Sequence, residues 1–495
     1  MANNRRQLLT TVALAALFAG VPRSMAGDVA KHARTSGSGD FPAVAPWRNW
    51  SGGQHAQPAA RVVPRSEDDL VALLREGKPR TAMLPKAMLP KAVSRTAALR
   101  KSHPSALSMR PVGAGHSFSG LVPTEGCLIV LDNLAGLIEH DAVNLTATFG
   151  AGTRLADMGA PLDAVGQGMF NLPDIDRQTI AGAISTATHG TGVAFTTLSA
   201  YVSAIRLVTS TGEVLELDAR RDPLTFAAAR VGLGALGVIT QVTMRNRTAY
   251  RLREQDSMQP TEDVLTNFDK SVAQHRHFEM LPLVHSDFAI VQAIDETDAP
   301  INNPPETPEQ AAAFDQAMQA WAAAKPKDRR ALINGMASQF APQVSIDVSH
   351  KILSNVRNTR FNEMEYSVPL ANGGACLREI LKTISDNAVD VVFPLEYRYV
   401  SGDDLWLSMF SGGARAAISI HQYAHIDYRP YFNLIEPIFW KYGGRPHWGK
   451  VHSLGYAQLR TLYPHLDEFL AVRKRLDPHG YLLNDYLRGL FKIGS

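Results

Sequence analysis

The stretch Arg110-Pro-Val-Gly-Ala-Gly-His-Ser-Phe-Ser119 sets a histidine directly behind two glycines. Glycine adopts backbone angles closed to other residues, so successive amides at Gly113, Ala114 and Gly115 can converge into an anion-binding nest of the kind that holds a diphosphate. His116 then stands at the edge of the cradle, either as a group in contact with a bound cofactor or as a histidine hydrogen-bonded in a core. A second segment, Gly182-Ala-Ile-Ser-Thr-Ala-Thr-His-Gly-Thr-Gly192, offers the hydroxyls of Thr186 and Thr188, the imidazole of His189 and close backbone approach at Gly190. Together they suit a flat ring carrying a hydroxylated chain and a diphosphate. Further on, Leu395-Glu-Tyr-Arg-Tyr399 spaces Glu396 and Arg398 by two, so on a strand both project from one face and Tyr397 from the other. That pair is either a same-face ion pair or a grip on a polar substrate. His421, in Ile418-Ser-Ile-His-Gln422, sits on another apparent strand, and His447-Trp-Gly-Lys450 adds an imidazole and an ammonium.

The elements that must position these groups alternate short β-branched runs with glycine-rich turns. Strands are expected at 128–131, 147–149, 203–209, 214–217 and 238–244, with helices over 154–164 and 223–230. Before them, a strand near Val62 leads into a helix capped by Ser66, with Asp69 as its capping-box acid. Beyond residue 250 the strands lengthen, one of them expected over 283–291, and a Pro/Ala-rich helical insertion runs from about 304 to 343. An amphipathic helix over 459–476 ends at the turn Asp477-Pro-His-Gly480. The pentapeptide Ala82-Met-Leu-Pro-Lys86 is repeated at once as 87–91, in a loop whose prolines forbid a continuous helix.

Composition narrows the functional classes. A chain of 495 residues, 45% apolar, can bury a large core in roughly two to three domains, at about 100–200 residues each. Fifty Lys plus Arg against 47 Asp plus Glu, with no long basic run, argue against nucleic acid as a partner. Cys127 and Cys376 are too few for a disulfide framework and read as free thiols, and no Cys/His spacing or His-Glu-x-x-His motif predicts a metal. Gly232-Leu-Gly-Ala-Leu-Gly237 matches a dinucleotide fingerprint, but a helix precedes it and a strand follows, the reverse of the order that fingerprint needs. Residues 1–26 read as an export signal, twin arginines Arg5 and Arg6 preceding an apolar run, Leu8 to Val21, that ends before Ser24-Met-Ala26. The run is shorter than the roughly 20 residues of a membrane span, so the expected location is periplasmic or exported, with an N-terminal anchor as the alternative. Residues 27–45 read as a flexible tether.

The chain resembles the aldonolactone oxidase and alditol oxidase family over about residues 45–495. The resemblance is carried by Val112 to Ser117, by Ala181 to Gly192 and by His447 to Lys450. It implies an α+β, two-domain flavoprotein of the vanillyl-alcohol-oxidase type: an FAD-binding PCMH-type domain at 46–248, a substrate domain at 249–450, and a segment at 451–495 that returns to the FAD domain. It places Val112, Gly113, Ala114, Gly115, His116, Ser117, Phe118, Pro173, Gly182, Thr186, Thr188, His189, Gly190, Gly192, Gly237, Val238, Ile239 and His447 at the cofactor. His116 is implied to bond covalently to the flavin 8α-methyl. Glu396, Arg398, His421 and Lys450 would hold a sugar-acid 1,4-lactone or, alternatively, a polyol such as xylitol or sorbitol.

On that footing the cofactor supplies the redox chemistry and the protein positions the carbon that bears the hydroxyl. Lys450 or Arg398 would stabilise charge on the reduced ring, and Glu396 or His421 would take the hydroxyl proton. Pro173, in Asn171-Leu-Pro-Asp174, falls where the family controls oxygen access, which favours oxygen as acceptor over a periplasmic or membrane quinone or cytochrome.

Overall fold

The computed structural model describes residues 44–76, 108–304, 307, 319–337, 340, 342–355 and 359–494. The expected leader at 1–26, all but the end of the tether at 27–45, the duplicated segment at 82–91 and part of the 304–343 insertion lie outside the described residues.

Three sheets carry the α+β architecture. Strands Ala60–Val62, Cys127–Val130 and Met109–Val112 form a small parallel sheet with Cys127–Val130 in the middle. A five-stranded antiparallel sheet runs in the order Val214–Asp218, Val202–Val208, Val238–Arg245, Thr146–Gly150, Leu137–Asp141. An eight-stranded sheet follows, in the order Gln343–Val348, Arg251–Pro260, Phe288–Glu296, His277–Pro282, Glu396–Val400, Arg415–Tyr423, Phe361–Pro369, Arg445–Pro446. Phe149, Val242, Tyr397 and Phe469 belong to one continuous buried cluster that reaches all of these layers. Each such side chain contributes about 1.5–3 kcal/mol by leaving water.

Local chemistry sets the boundaries. The Glu67–Glu76 helix starts where Ser66 Oγ accepts from the Asp69 amide at 3.2 Å, while the Asp69 carboxylate accepts from the Arg65 amide, one residue earlier than a capping box requires. The glycine segment at 232–237 does follow the helix Pro223–Ala229 and precede the strand Val238–Arg245, so it is not a dinucleotide fingerprint. Two expectations are corrected. Residues 283–291 are not one strand: the chain turns between His277–Pro282 and Phe288–Glu296, with His285 at φ +57° and Ser286 Oγ accepting from the Phe288 amide. The helix expected over 459–476 is two, Tyr456–Leu462 and Leu466–Leu476, because Pro464 has no amide to donate and drives Tyr463 to extended angles (φ −118°, ψ 93°).

The carboxy-terminal helices are latched to the strand that leads into the glycine cradle. Arg110 is buried and its guanidinium donates to the carbonyls of Leu121, Leu233, Gly234 and Leu482, while Met109 N–H donates to Tyr481 O at 2.7 Å. Cys127 and Cys376 are free thiols. Among the described residues, no helix is long and apolar enough to cross a membrane.

Candidate active site

The strand Met109–Val112 ends at Gly113, and the chain bends at Gly115 with φ +69°. A Cβ on Gly113 would lie 2.2 Å from Thr179 Oγ1, so only glycine brings this backbone so close to its neighbour. A hairpin formed by Trp47–Arg48 and His55–Ala56 braces the bend. From it Trp50 N–H donates to Gly115 O at 2.7 Å, Asn49 Nδ2 to Ser117 O at 3.0 Å and Gln54 Nε2 to Phe118 O at 3.1 Å. The Trp50 indole stacks on the His116 imidazole, centroids 5.0 Å apart and planes 21° from parallel. Sequence reading missed this hairpin, because two strands of two residues carry no periodicity. Burial first, then the positive charges of Lys450, Arg154 and Arg177, push the His116 imidazole down to about 4, so it stands as a neutral ring.

One cavity of about 350 Å³ extends from this bend to the polar groups of the large sheet, within the range of small-molecule sites. Val112, Gly113, Ala114, Gly115, His116, Ser117, Pro173, Gly182, Thr186, Thr188, His189, Gly237, Ile239 and His447 line it, together with Glu396, Arg398, His421 and Lys450. Phe118, Gly190, Gly192 and Val238 do not reach its wall. Phe118 lies under the Lys450 ammonium, 5.2 Å from the ring centroid. Gly190 is packed against Leu172 O, Gly192 at φ +127° donates its amide to Tyr399 O, and Val238 is wholly buried against the neighbouring strand.

The polar end is built by strand register. Glu363 faces His421 across the Phe361–Pro369 and Arg415–Tyr423 strands, while Glu365 and Glu396 both face Ser419 from opposite sides. Alternation then puts Glu363, Glu365, Glu396, Arg398 and His421 on one face. Arg398 Nη2 meets Glu396 Oε2 at 3.1 Å and Glu365 Oε2 at 3.5 Å; Glu365 Oε1 meets His189 Nε2 at 2.6 Å. Lys450 pairs with Glu363. His421 Nδ1 lies 3.3 Å from Pro394 O, which leaves Nε2 toward Glu363 at 3.7 Å and Glu396 at 4.0 Å.

Electrostatics follow from this crowding. Burial opposes charge on Glu363, but Lys450 and His421 outweigh it and hold the carboxyl at about 2. Burial likewise opposes charge on Glu365, and His189 and Arg398 hold it well below the usual range. For His421 burial works downward, yet Glu363 and Glu396 raise it above its ordinary value. Donor atoms of Glu363, Glu396 and His421 lie within 4.8 Å of one another, a spacing open to a metal ion, but the Lys450 ammonium already neutralises Glu363. Glu363 and Glu365 were not read from the sequence as site residues. The available signal was two acids spaced by two in Phe361-Asn-Glu-Met-Glu-Tyr-Ser-Val368, a strand buried along nearly its whole length.

Residues 92–218 match an FAD binding domain, and residues 242–490 match the family described as D-arabinono-1,4-lactone oxidase. The chain is 34% identical to L-gulono-1,4-lactone dehydrogenase of Mycobacterium tuberculosis over 454 residues, covering 89% of this chain and 98% of that one. It is 29% identical to an alditol oxidase of a Streptomyces species, covering 76% and 89% respectively. The solved structure of a cholesterol oxidase from B. sterolicum superposes with TM-score 0.71 over 92% of this chain and 100% of that one; at 15% identity this likeness shows the fold.

Proposed function

The chain belongs to the D-arabinono-1,4-lactone oxidase family, and from that premise we propose that it oxidises a CH–OH group of a sugar-acid 1,4-lactone with FAD and passes the electrons to oxygen. The single observation that carries this reading is the continuity of one cavity from the Gly113–Ser117 cradle to the Glu396, Arg398, His421 and Lys450 cluster. The wall fits FAD: Gly113 and Gly237 have no room for a Cβ, and the bend at Gly115 needs a positive φ, so backbone rather than side chain forms the diphosphate end.

Bound FAD would supply the hydride acceptor for the carbon that bears the substrate hydroxyl. Arg398 and Lys450 hold fixed positive charge over the polar end and orient a polyhydroxylated substrate. Glu396 takes the hydroxyl proton. His421 is less suited to that role, because its Nδ1 donates to Pro394 O and its Nε2 faces two carboxylates, which keep a proton on it. Anaerobic mixing of the yellow holoenzyme with aldonolactones and alditols tests the reading: bleaching by lactones supports it, and indifference to every lactone overturns it. A polyol substrate is the second reading, favoured by the alditol oxidase relative, and bleaching by xylitol or sorbitol alone would select it. The acceptor is tested by reoxidising the bleached enzyme with air or with a quinone. Pro173, which the resemblance places at the point of oxygen access, lies on the cavity wall and favours oxygen, while the relative named a dehydrogenase favours an acceptor other than oxygen.

His116 is the proposed point of covalent attachment. It lines the cavity, is held by Trp50 and is neutral down to about pH 4, so its lone pair is available for bonding throughout the neutral range. His116→Ala should still bind FAD but release it on denaturation, leaving no flavin fluorescence on the protein band in a denaturing gel; a band equally fluorescent in both proteins sinks the assignment. Export through the twin-arginine leader is likewise proposed, on Arg5-Arg6 and the apolar run behind them. Replacing both arginines by lysine should hold the protein in the cytoplasm, and unchanged periplasmic recovery would refute that route.

A further inference from the structure

Behind Arg398, on the side away from the main cavity, lies a second and smaller chamber of about 30 Å³. Asp174 and Arg398 line both spaces. The chamber wall carries buried polar atoms with no protein partner: Arg398 Nε, a donor, and His277 Nε2. His277 is 2% exposed and stacked on Phe195 with centroids 4.8 Å apart, and its Nδ1 lies 2.7 Å from Thr191 O. Nδ1 therefore carries the proton, and burial, its first cause, pushes the ring down to about 4, so Nε2 is a free acceptor. A chamber of this size holds about two waters at roughly 10–15 Å³ each, and a buried water needs two to four polar partners.

Glu279 also lines this wall. Its strand pairs with Glu396–Val400 so that Glu279 faces Arg398 directly. Among the described residues it has no ion pair within 4 Å, because Arg398 is taken by Glu396 and Glu365. Its partner is the Thr191 hydroxyl, which donates to Oε2. Facing it are Arg398 and Glu396 from the neighbouring strand, His277 from its own, Asp174 from the loop, and Gln292 opposite, whose amide reaches Glu254 and Asp256. A carboxyl with one neutral donor, no ion pair and a chamber large enough for water beside it is built to gain and lose a proton.

We propose that Glu279 is the proton reservoir of this active site: as the substrate hydroxyl loses its proton on the main-cavity side of Arg398, a proton is taken up on the Glu279 carboxylate through the chamber waters. The inference rests on the oxidation proposed above. The hydride leaves with the C–H electron pair, Glu396 takes the O–H proton, and that proton is then relayed past Arg398 to Glu279, which frees Glu396 to accept again, so the step moves one proton and no further electrons. Burial first, then Glu396, against the pull of Arg398 and Thr191, raises the Glu279 carboxyl to about 7, where it can exchange near neutrality.

The test uses the holoenzyme and Glu279→Gln. In wild type, anaerobic bleaching by a saturating lactone should accelerate as pH rises through about 7 and Glu279 becomes ready to accept. Glu279→Gln should lose that limb and be slower above it by about tenfold, less than the 10²–10⁴ of a direct acid–base group. Glu279→Asp should restore the limb. Independently of turnover, the infrared spectrum of resting wild type should show a protonated-carboxyl band that fades as pH rises through about 7 and is absent from Glu279→Gln. An unchanged band, or an unchanged pH profile in the glutamine variant, overturns the proposal. A lactone panel that bleaches nothing would instead strike the function above, and the infrared titration would still decide whether Glu279 exchanges a proton.

Discussion

Replacing Lys450 with methionine should slow anaerobic reduction of the bound flavin by on the order of 10²–10³-fold, the cost of removing one fixed charge or donor that faces developing negative charge. Lys450 is held in place by the carbonyl of its own turn and by its partner: its amide donates to His447 O at 3.0 Å, its ammonium pairs with Glu363, and the Phe118 ring lies under it. Methionine keeps most of the apolar stem and removes the charged donor. Two consequences separate this effect from a general loss of structure. The reduced flavin should become harder to form, seen as a lower midpoint potential. The Glu363 carboxyl, now held at about 2 chiefly by Lys450 against its own burial, should rise. In wild type that depressed carboxyl contributes stability that is present above its ordinary 4.5 and is lost as pH falls toward 2. The methionine variant should lack that contribution and resist acid no better when pH is raised from about 3 to 5. Stopped-flow reduction at the wild-type rate would show that the charge has no part in the transition state. The lysine is partly exposed, so the stability change should be small beside the kinetic one.

The sequence made the chemistry legible wherever spacing alone fixes direction. Glu396 and Arg398 alternate on a strand, so their shared face follows from a period of two, and the structure pairs them at 3.1 Å. The glycines at 113 and 115 announce a bend because no other residue serves there, and one has positive φ while the other has no room for a Cβ. The order helix, glycines, strand at 223–245 likewise dismissed a dinucleotide fingerprint from local pattern. What stayed hidden depends on long-range pairing. Glu363 and Glu365 become site residues only because their strand lies beside Arg415–Tyr423, more than fifty positions along the chain by their register with His421 and Ser419. Glu279 reaches Arg398 through a pairing of two registered positions, and Trp50 reaches His116 through a hairpin too short to have a period. Local pattern also overran Pro464 and His285, where one missing amide and one positive φ ended elements that hydrophobicity would have continued.

Replacing Arg398 with methionine should be the most damaging single change to the fold at this site. Arg398 is 6% exposed, and its guanidinium stands among Glu365, Glu396 and Glu279. Burial works against its charge, and the surrounding carboxylates, Glu396 first, more than offset it, raising its pKa above the ordinary value. Removing one partner of a buried ionic cluster costs about 3–5 kcal/mol, because the remaining charges stay out of water without their counter-charge. The penalty should depend on pH in a direction that identifies its cause. Glu279 is already raised to about 7 by burial and Glu396 with Arg398 pulling the other way; without Arg398 it rises further, and Glu365 loses one of the charges that hold it low. A carboxyl whose folded pKa lies above its unfolded value favours the folded state when protonated, and that advantage is lost as pH rises through the folded pKa. Glu363 and Glu365 in wild type behave oppositely, contributing stability that is complete above 4.5 and lost as pH falls below it. The deficit of Arg398→Met relative to wild type, measured by denaturant unfolding, should therefore be larger at about pH 8 than at about pH 5. Equal deficits at both would mean that lost packing, not stranded carboxylate charge, accounts for the loss, and the charge cluster would then have no claim on Arg398 beyond its volume.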